Sequence, residues 1–159
     1  MRQKEFSINH HGDKLDSSVV DEIRLIVESI DRTSPGRSYR NSIITELVKV
    51  GWSGKVPIHF DSKSSIDGIK RNIGVAVQVG NHRSGMLSIF NLEYLFRIGK
   101  ISSAILITQT FEQAVHRNSL GNPGVRTDGN YMNFQKLVPD LELYSTFLEC
   151  PIRVIAIDR

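Results

Sequence analysis

The segment from 66 to 81 constrains the fold more than any other, because it combines a β-hairpin pattern with polar residues at fixed positions on both strands. Its sequence is I-D-G-I-K-R-N-I-G-V-A-V-Q-V-G-N. Asp67 is predicted to end the first strand, residues 70–72 to turn the chain, and residues 73–79 to form the second strand. Because side chains on a strand alternate between its two faces, Ala76 and Gln78 are predicted to share one face.

The residues after this hairpin predict a crossover connection. A helix is expected at 85–98, and residues 103–108 contain the apolar run A-I-L-I, which is typical of a strand buried on both faces. A helix between two such strands indicates a mixed or parallel sheet. The fold class is therefore α/β, with further elements expected at 17–30 (helix), 40–50 (helix) and 152–157 (strand).

Length and composition limit the architecture and the compartment. The 159 residues, 40% of them hydrophobic, suit a single domain over 1–159. No window approaches the roughly 18 consecutive apolar residues of a membrane-spanning helix. The single cysteine, Cys150, is expected to be a buried thiol in a reducing environment, so the expected location is the cytoplasm. The net charge of +3 is ordinary for this size and favours a polyanionic partner only weakly.

The most polar part of the chain, 111–130, is expected to be a long loop. It includes the run G-N-P-G at 121–124 together with several charged and amide side chains. Unstructured segments of this length in a small domain are usually functional loops or disordered. The following residues predict a short helix at 130–138 and another that starts at Pro139.

The hairpin pattern predicts part of a metal site. If the strands pair as described, Asp67, the residue at 76, the backbone carbonyl of Val77 and the side chain of Gln78 converge, and oxygen ligands of this kind bind Mg²⁺. The methyl group of Ala76 cannot bind a metal ion, so one ligand is missing. On spacing alone, the alternative is that Asp67 is a solvated carboxylate and Gln78 a hydrogen-bonded edge amide. The five histidines have no spacing typical of zinc.

The order of predicted helices, strands and short motifs along most of the chain gives further information beyond the hairpin pattern. From Ile43 onward it comprises the helix ending at Gly51-Trp52, the P-I-H-F segment from Pro57, the hairpin, the helix at 85–98, the A-I-L-I strand, the polar loop, the helix at Tyr131 and the P-I-R-V-I-A-I strand from Pro151. This order resembles the restriction endonucleases of the BglII and BamHI type, within the PD-(D/E)XK nuclease superfamily. The hairpin is similar to the D-x(8)-E-x-Q pattern of the BglII-like branch. The resemblance implies a restriction-endonuclease-like mixed β-sheet flanked by helices.

Position by position, the resemblance implies roles for the hairpin residues. Asp67 matches the metal-binding aspartate, and Ala76 stands where the family has its metal-binding glutamate. Val77 would supply a backbone carbonyl ligand, and Gln78 matches the glutamine found there in the BglII-like branch. Glu46, on the preceding helix, is either an accessory carboxylate or a solvated one. The implied cofactor is Mg²⁺, bound weakly here because one of two carboxylates is absent.

The resemblance also implies contacts with double-stranded DNA. Asn81, just after the hairpin, has an amide suited to adenine, and Arg83 is a candidate for a base or phosphate contact. Lys70 and Arg71, in the hairpin turn, are candidates for phosphate contact or for plain solvation. The candidates for base contact in the polar loop are Arg126, Thr127, Asp128 and Asn130.

A homodimer is implied as well, since the family acts as a two-fold dimer on a palindromic site. The interface would use the helix at 85–98 and the stretch at 131–147. The alternative is that the apolar residues of these stretches belong to the core, and it applies to Phe90, Tyr94, Tyr131, Met132, Phe134 and Leu137.

Three interpretations are consistent with these features. The first is a type II restriction endonuclease with Mg²⁺-dependent phosphodiester hydrolysis at a palindrome, for which the resemblance favours a GATC centre, in a form inactivated by replacement of glutamate with Ala76. The second is a natural, catalytically dead protein of the nuclease fold that binds DNA. The third is an unrelated α/β protein in which the hairpin pattern is a coincidence.

Overall fold

The computed structural model describes residues 4–7, 15–31, 36–121 and 131–158, and its centre is a five-stranded mixed β-sheet. The strands of the chain are β1 (Lys4–Ser7), β2 (Val56–Pro57), β3 (Ser65–Ile66), β4 (Gly68–Lys70), β5 (Ile73–Val77), β6 (Ser103–Gln109) and β7 (Ile152–Ile157). The order in the main sheet is β1-β7-β6-β5-β4, while β2 and β3 form a small separate sheet. β5, β6 and β7 are parallel, and the edge strands β1 and β4 are antiparallel to their neighbours. The predicted α/β fold class and mixed sheet are confirmed.

Helices cover both faces of the main sheet. They are α1 (Ser17–Ser29), α2 (Gly36–Lys49), α3 (His82–Arg97), α4 (Phe111–Gly121) and α5 (Phe134–Tyr144). Residues of α1 and α2 pack in one buried cluster with Ile107, whereas residues of α3 and α5 pack in a second cluster with Leu106. Leu106 and Ile107 are consecutive residues of β6, so their side chains point to opposite faces of the sheet, and both are fully buried. The strand is therefore buried on both faces, as its apolar run predicts.

The predicted hairpin is formed by β4 and β5, with a tighter turn than expected. Lys70 pairs with Ile73, so the turn consists of Arg71 and Asn72. Their φ angles are 50° and 62°. Two successive left-handed residues match the twist of hairpin strands, and asparagine adopts this conformation readily.

The strand boundaries near Asp67 differ from the prediction. Asp67 lies in the break between β3 and β4, and β5 ends at Val77 rather than at residue 79. The carboxylate of Asp67 accepts the backbone N–H of Val77 (2.7 Å), which a carbonyl group of a pairing strand would otherwise accept. A side chain therefore replaces the backbone partner at this point, and the ladder stops.

The expected loop at 111–130 is wrong in its first half, because α4 occupies Phe111–Gly121. Thr110, just before the helix, caps its N-terminus. Its carbonyl accepts the N–H of Ala114 (3.0 Å), and its hydroxyl accepts the N–H of Gln113 (3.2 Å). The polar composition of the segment concealed a helix whose capping residue belongs to the preceding strand region. Residues 122–130 lie outside the described ranges.

Two further expectations are corrected at the ends of the chain. The stretch predicted as two helices that meet at Pro139 is the single helix α5, with Pro139 inside it. The exposed position of this proline leaves its surroundings free to adjust to the missing N–H. The strand β1 was not predicted, since four residues carry too little alternation to be recognised.

Glu5 attaches β1 to the rest of the domain. Its carboxylate accepts hydrogen bonds from Nε of Arg24 on α1 (2.7 Å) and from Nε of Arg153 on β7 (3.1 Å). The bond from Arg24 is the largest of the effects that lower the pKa of Glu5 below its ordinary value of 4.5, Arg153 adds to it, and partial burial opposes it. The ion pairs therefore stabilise the ionised form in the folded state.

We expect Glu5→Gln to lower the free energy of unfolding by about 1–3 kcal/mol at pH 7, because two guanidinium groups lose a charged acceptor. Since the folded pKa is lowered, this contribution is complete above the ordinary value and is lost as the pH falls through the folded value. Urea unfolding of both proteins between pH 7 and pH 3 measures the difference, with the exposed Glu142→Gln as control. A difference that persisted unchanged at the acidic end would contradict this assignment.

Cys150 is fully buried, as the sequence predicts. Burial raises the pKa of its thiol to about 12, so the thiol stays neutral at physiological pH. Within the described residues, no helix is both long and apolar enough to cross a membrane.

Candidate functional site

Asp67 and Val77 meet where the hairpin joins the main sheet. The backbone N–H of Asp67 donates to the carbonyl of Val75 (2.9 Å), and its carboxylate oxygen Oδ2 accepts the N–H of Val77 (2.7 Å). The Asp67 side chain is 8% exposed. Burial raises the pKa of this carboxyl, and nearby Arg40 and the N–H of Val77 oppose the shift. The structure thus places a buried carboxylate beside the end of β5.

Arg40, on α2, binds both members of this pair. Its Nε donates to the carbonyl oxygen of Val77 (3.1 Å), and its Nη2 forms an ion pair with Oδ1 of Asp67. The Arg40 side chain is 38% exposed, so the cluster opens to solvent on the side of this guanidinium. No motif in the sequence assigns a role to Arg40.

The sequence nevertheless holds a signal for Arg40. It precedes Ile43, Ile44 and Leu47 by three, four and seven positions, so it lies on the same stripe of α2 as the residues that face the core. A charged residue on such a stripe is rarely buried without a partner of opposite charge. That pattern indicates a buried carboxylate nearby, although it does not say which one.

The residues present at this point do not fit a divalent cation. Mg²⁺ and Ca²⁺ require several oxygen ligands and usually more than one carboxylate. Here Ala76 contributes a methyl group, and the Arg40 guanidinium already binds the carboxylate of Asp67 and the carbonyl of Val77. In the part of the chain that the structure describes, no group of three His, Cys, Asp or Glu side chains could hold a metal ion.

Ala76 and Gln78 face α3 and do not join this pair. Ala76 is 1% exposed and packs in the cluster that contains Ile89 and Leu92 of α3. The Gln78 side chain donates from Nε2 to the hydroxyl of Ser88, also on α3 (2.6 Å). Of the four groups expected to converge, the structure brings together Asp67 and Val77 and directs the other two toward α3.

The remaining charged candidates near the hairpin have partners on the helices. Glu46 forms an ion pair with Lys49, one turn along α2 (2.6 Å), at a half-exposed position. The ammonium group of Lys70 binds the carboxylate of Glu22 (2.6 Å) and the carbonyl of Val50. Lys70 therefore ties the hairpin to α1.

Arg71 is the more open of the two turn residues proposed for phosphate contact. Its side chain is 63% exposed, and its guanidinium lies 3.2 Å from the carboxylate of Asp16. Asp16 is also the N-cap of α1, where its side chain accepts the N–H of Ser18. Arg71 can leave this exposed ion pair at small cost, since such pairs contribute little stability.

The segments proposed to read DNA begin at one place on the surface. Asn81 is the N-cap of α3, and its side chain accepts the backbone N–H of Arg83 (2.9 Å). Tyr131 forms an isolated β-bridge with Asn81, and the N–H of Met132 donates to Gly80 (2.7 Å). Both Asn81 and Arg83 are exposed. The other candidates lie outside the described residues; they are Arg126, Thr127, Asp128 and Asn130.

An apolar stripe runs along the solvent side of α3. Leu87, Phe90, Tyr94 and Ile98 are 43–54% exposed and follow one another at three- or four-residue spacing, so they lie along one helical face. Tyr131 is also exposed, at 37%. By contrast, the remaining apolar residues proposed for either the interface or the core are packed inside; they are Met132 and Leu137, both fully buried, and Phe134, which packs against the second cluster.

Comparisons with known proteins agree with this architecture. The crystal structure of restriction endonuclease BglII complexed with a DNA 16-mer matches with a TM-score of 0.76 at 17% identity, over 99% of this chain and 78% of that one. The crystal structure of free BglII matches with a TM-score of 0.66 at 20% identity, over 99% and 79%. A search of curated protein sequences finds no match. The model of the restriction endonuclease BglII/BglIII family matches residues 10–157, and the chain therefore belongs to that family.

Proposed function

We propose that this chain is a sequence-specific DNA endonuclease of the type II restriction class, in which Ala76 impairs Mg²⁺-dependent hydrolysis of a palindromic site. One observation carries the proposal: the Asp67 carboxylate and the Val77 carbonyl both accept hydrogen bonds from the guanidinium of Arg40, whose side chain is partly exposed to solvent. Membership of the BglII/BglIII family supports the substrate class. One of the solved relatives was crystallised with a DNA 16-mer, which supports double-stranded DNA as the partner.

In this proposal the chain's own groups divide between holding the reacting phosphate and reading bases. Asp67 and Val77 mark the place of hydrolysis, and Gln78 positions α3 through its bond to Ser88. Asn81 and Arg83, at the N-terminus of α3, contact base edges or phosphates, and the loop candidates named above extend that surface. Arg71 binds phosphate from the exposed hairpin turn. Phosphate binding by Lys70 has less support, because its ammonium group already binds the carboxylate of Glu22.

We expect Asn81→Ser to weaken binding to the specific DNA site by about 10- to 100-fold, because a bidentate amide–adenine contact contributes about 1–3 kcal/mol. Serine keeps an oxygen that can cap α3 and introduces no charge, so thermal stability should change little. Fluorescence anisotropy with the specific duplex and with a scrambled duplex measures the loss. Equal weakening on both duplexes would contradict a base contact by Asn81.

The proposed assembly is a homodimer with its two-fold axis on that of the DNA. The exposed stripe of α3 supports an interface there, since four large apolar side chains on one helical face are unusual on the surface of a monomer. Tyr131 is exposed and pairs with Asn81, at the start of the same helix.

A natural DNA-binding protein without nuclease activity is the second candidate. The ion pair between Arg40 and Asp67 favours it, because it neutralises the site without a metal ion. Near-identical natural sequences that carry glutamate at position 76 would exclude this candidate.

Both candidate functions require specific binding to DNA. Selection from randomised duplexes by the full chain in EDTA tests it, and one enriched palindrome is the expected result. Uniform recovery of all sequences would contradict the proposed function.

A further inference from the structure

The guanidinium of Arg40 occupies the position where the two candidate metal ligands meet. It binds the carbonyl oxygen of Val77 through Nε and the Oδ1 oxygen of Asp67 through Nη2. The other carboxylate oxygen of Asp67 accepts the backbone N–H of Val77. Each of these three oxygens thus already accepts one N–H hydrogen bond, and a cation bound to the Val77 carbonyl and Oδ1 of Asp67 would have to displace the guanidinium.

The charge of the Arg40 guanidinium is enough to neutralise the Asp67 carboxylate in this chain. Asp67 contributes one negative charge and Arg40 one positive charge, so the pair is neutral with alanine at position 76. A divalent cation would have to displace Arg40 and then share a single carboxylate, which leaves excess positive charge. A glutamate at position 76 whose carboxylate turned from α3 toward Asp67 would reverse this preference.

We infer that Arg40 replaces the divalent cation at this site and supplies the positive charge that contacts a DNA phosphate there, an inference that rests on the proposed DNA binding. A guanidinium has five N–H donors in a planar fork, the bonds to Val77 and Asp67 use two of them, and 38% of the Arg40 side chain is exposed. It can therefore hold Asp67 and Val77 and still present donors to a phosphate. Binding to DNA becomes independent of metal ions.

The first arm of the test uses Mn²⁺ alone, without DNA, and follows binding to the full chain by electron paramagnetic resonance. The chain with Ala76 should bind no Mn²⁺ in the micromolar range. Ala76→Glu/Arg40→Gln should bind at least about tenfold more tightly than Ala76→Glu, because the competing cation is removed. Saturable micromolar binding by the chain with Ala76, or equal affinity of the two variants, would overturn the inference.

The second arm measures binding to the selected duplex in EDTA and in Ca²⁺. The chain with Ala76 and Arg40 should bind equally in both. Arg40→Gln should bind about tenfold more weakly, with a salt dependence that falls by about one, and Ca²⁺ should not restore the lost affinity. Lys49→Gln, which removes a positive charge from the exposed side of the same helix, is the matched control and should bind within about twofold of the unsubstituted chain.

Three outcomes separate the role of Arg40 from DNA binding in general. A tenfold gain in the DNA affinity of the unsubstituted chain on addition of Ca²⁺ would overturn the inference without any variant. If Arg40→Gln fails to fold, Arg40→Lys keeps the charge and should keep the salt dependence of the unsubstituted chain, whereas a reduced dependence would count against the inference. If the unsubstituted chain binds no DNA, the proposed function fails, and the Mn²⁺ arm still decides whether Arg40 excludes the cation.

Discussion

Ala76→Glu is expected to produce Mg²⁺-dependent cleavage of DNA at the specific site, at least about 100- to 1000-fold faster than the chain with Ala76. Ala76 faces α3, so the glutamate side chain must turn toward Asp67 to give the site the charge and the ligand that a divalent cation needs. Such a cation contributes several kcal/mol to phosphoryl-transfer catalysis. Position 76 is buried in an apolar cluster beside α3, so the longer side chain should cost about 1–3 kcal/mol of stability. Cleavage of a labelled duplex that carries the selected palindrome measures the gain.

Ala76→Gln is the matched control for this substitution, because it has the same size as glutamate and no charge. Both variants should show cooperative thermal unfolding and bind the selected duplex, and the glutamate variant alone should cut it. The double variant Ala76→Glu/Arg40→Gln should reach its maximal rate at a lower Mg²⁺ concentration. Folded glutamate variants that bind both DNA and Mn²⁺ without cutting would contradict the inactivated-enzyme interpretation and favour the natural DNA-binding protein.

The second large effect is expected at the exposed stripe of α3. Phe90→Glu should weaken the dimer by at least about 100-fold, because each copy brings a carboxylate to the same two-fold interface and like charges there cost several kcal/mol. Binding to the full palindrome should weaken to a similar extent, since one subunit contacts only half of it. Analytical ultracentrifugation and anisotropy measure the two losses.

Leu25→Glu on α1 is the matched control, since Leu25 is also a large exposed apolar residue, at 68%, and lies outside this stripe. It should leave both the dimer and the DNA affinity unchanged. Phe90 is already half exposed, so its replacement should not unfold the domain. A Phe90→Glu protein that remains dimeric, or equal losses in the two variants, would contradict the proposed interface.

Hydrophobic periodicity predicted most of the fold. The apolar run in β6, the helix before it and the hairpin at 68–77 are all local patterns, and together they determine the parallel crossover. The helix α4 was mistaken for a loop because polar residues dominate it and its cap, Thr110, looks from the sequence like the end of a strand. Strand β1 depends on ion pairs of Glu5 with distant arginines, which no local pattern reveals.

The candidate site was predictable to a lesser extent. The spacing of Asp67 and Val77 is a property of one hairpin, and their contact follows from strand pairing. Arg40 comes from a helix 27 positions earlier, so its approach to Asp67 depends on how α2 packs against the sheet. For the same reason, the capture of Gln78 by Ser88 could not be derived from alternation along the strand.

A crystal structure of the chain with Ala76, bound to its selected duplex, tests the central claim most directly. We expect two copies related by a two-fold axis through the palindrome, Asn81 at base edges in the major groove, and Arg40 between Asp67 and one intact phosphate of each strand. DNA bound on a surface remote from Asp67 and Asn81, or a single copy on a site without symmetry, would contradict the account.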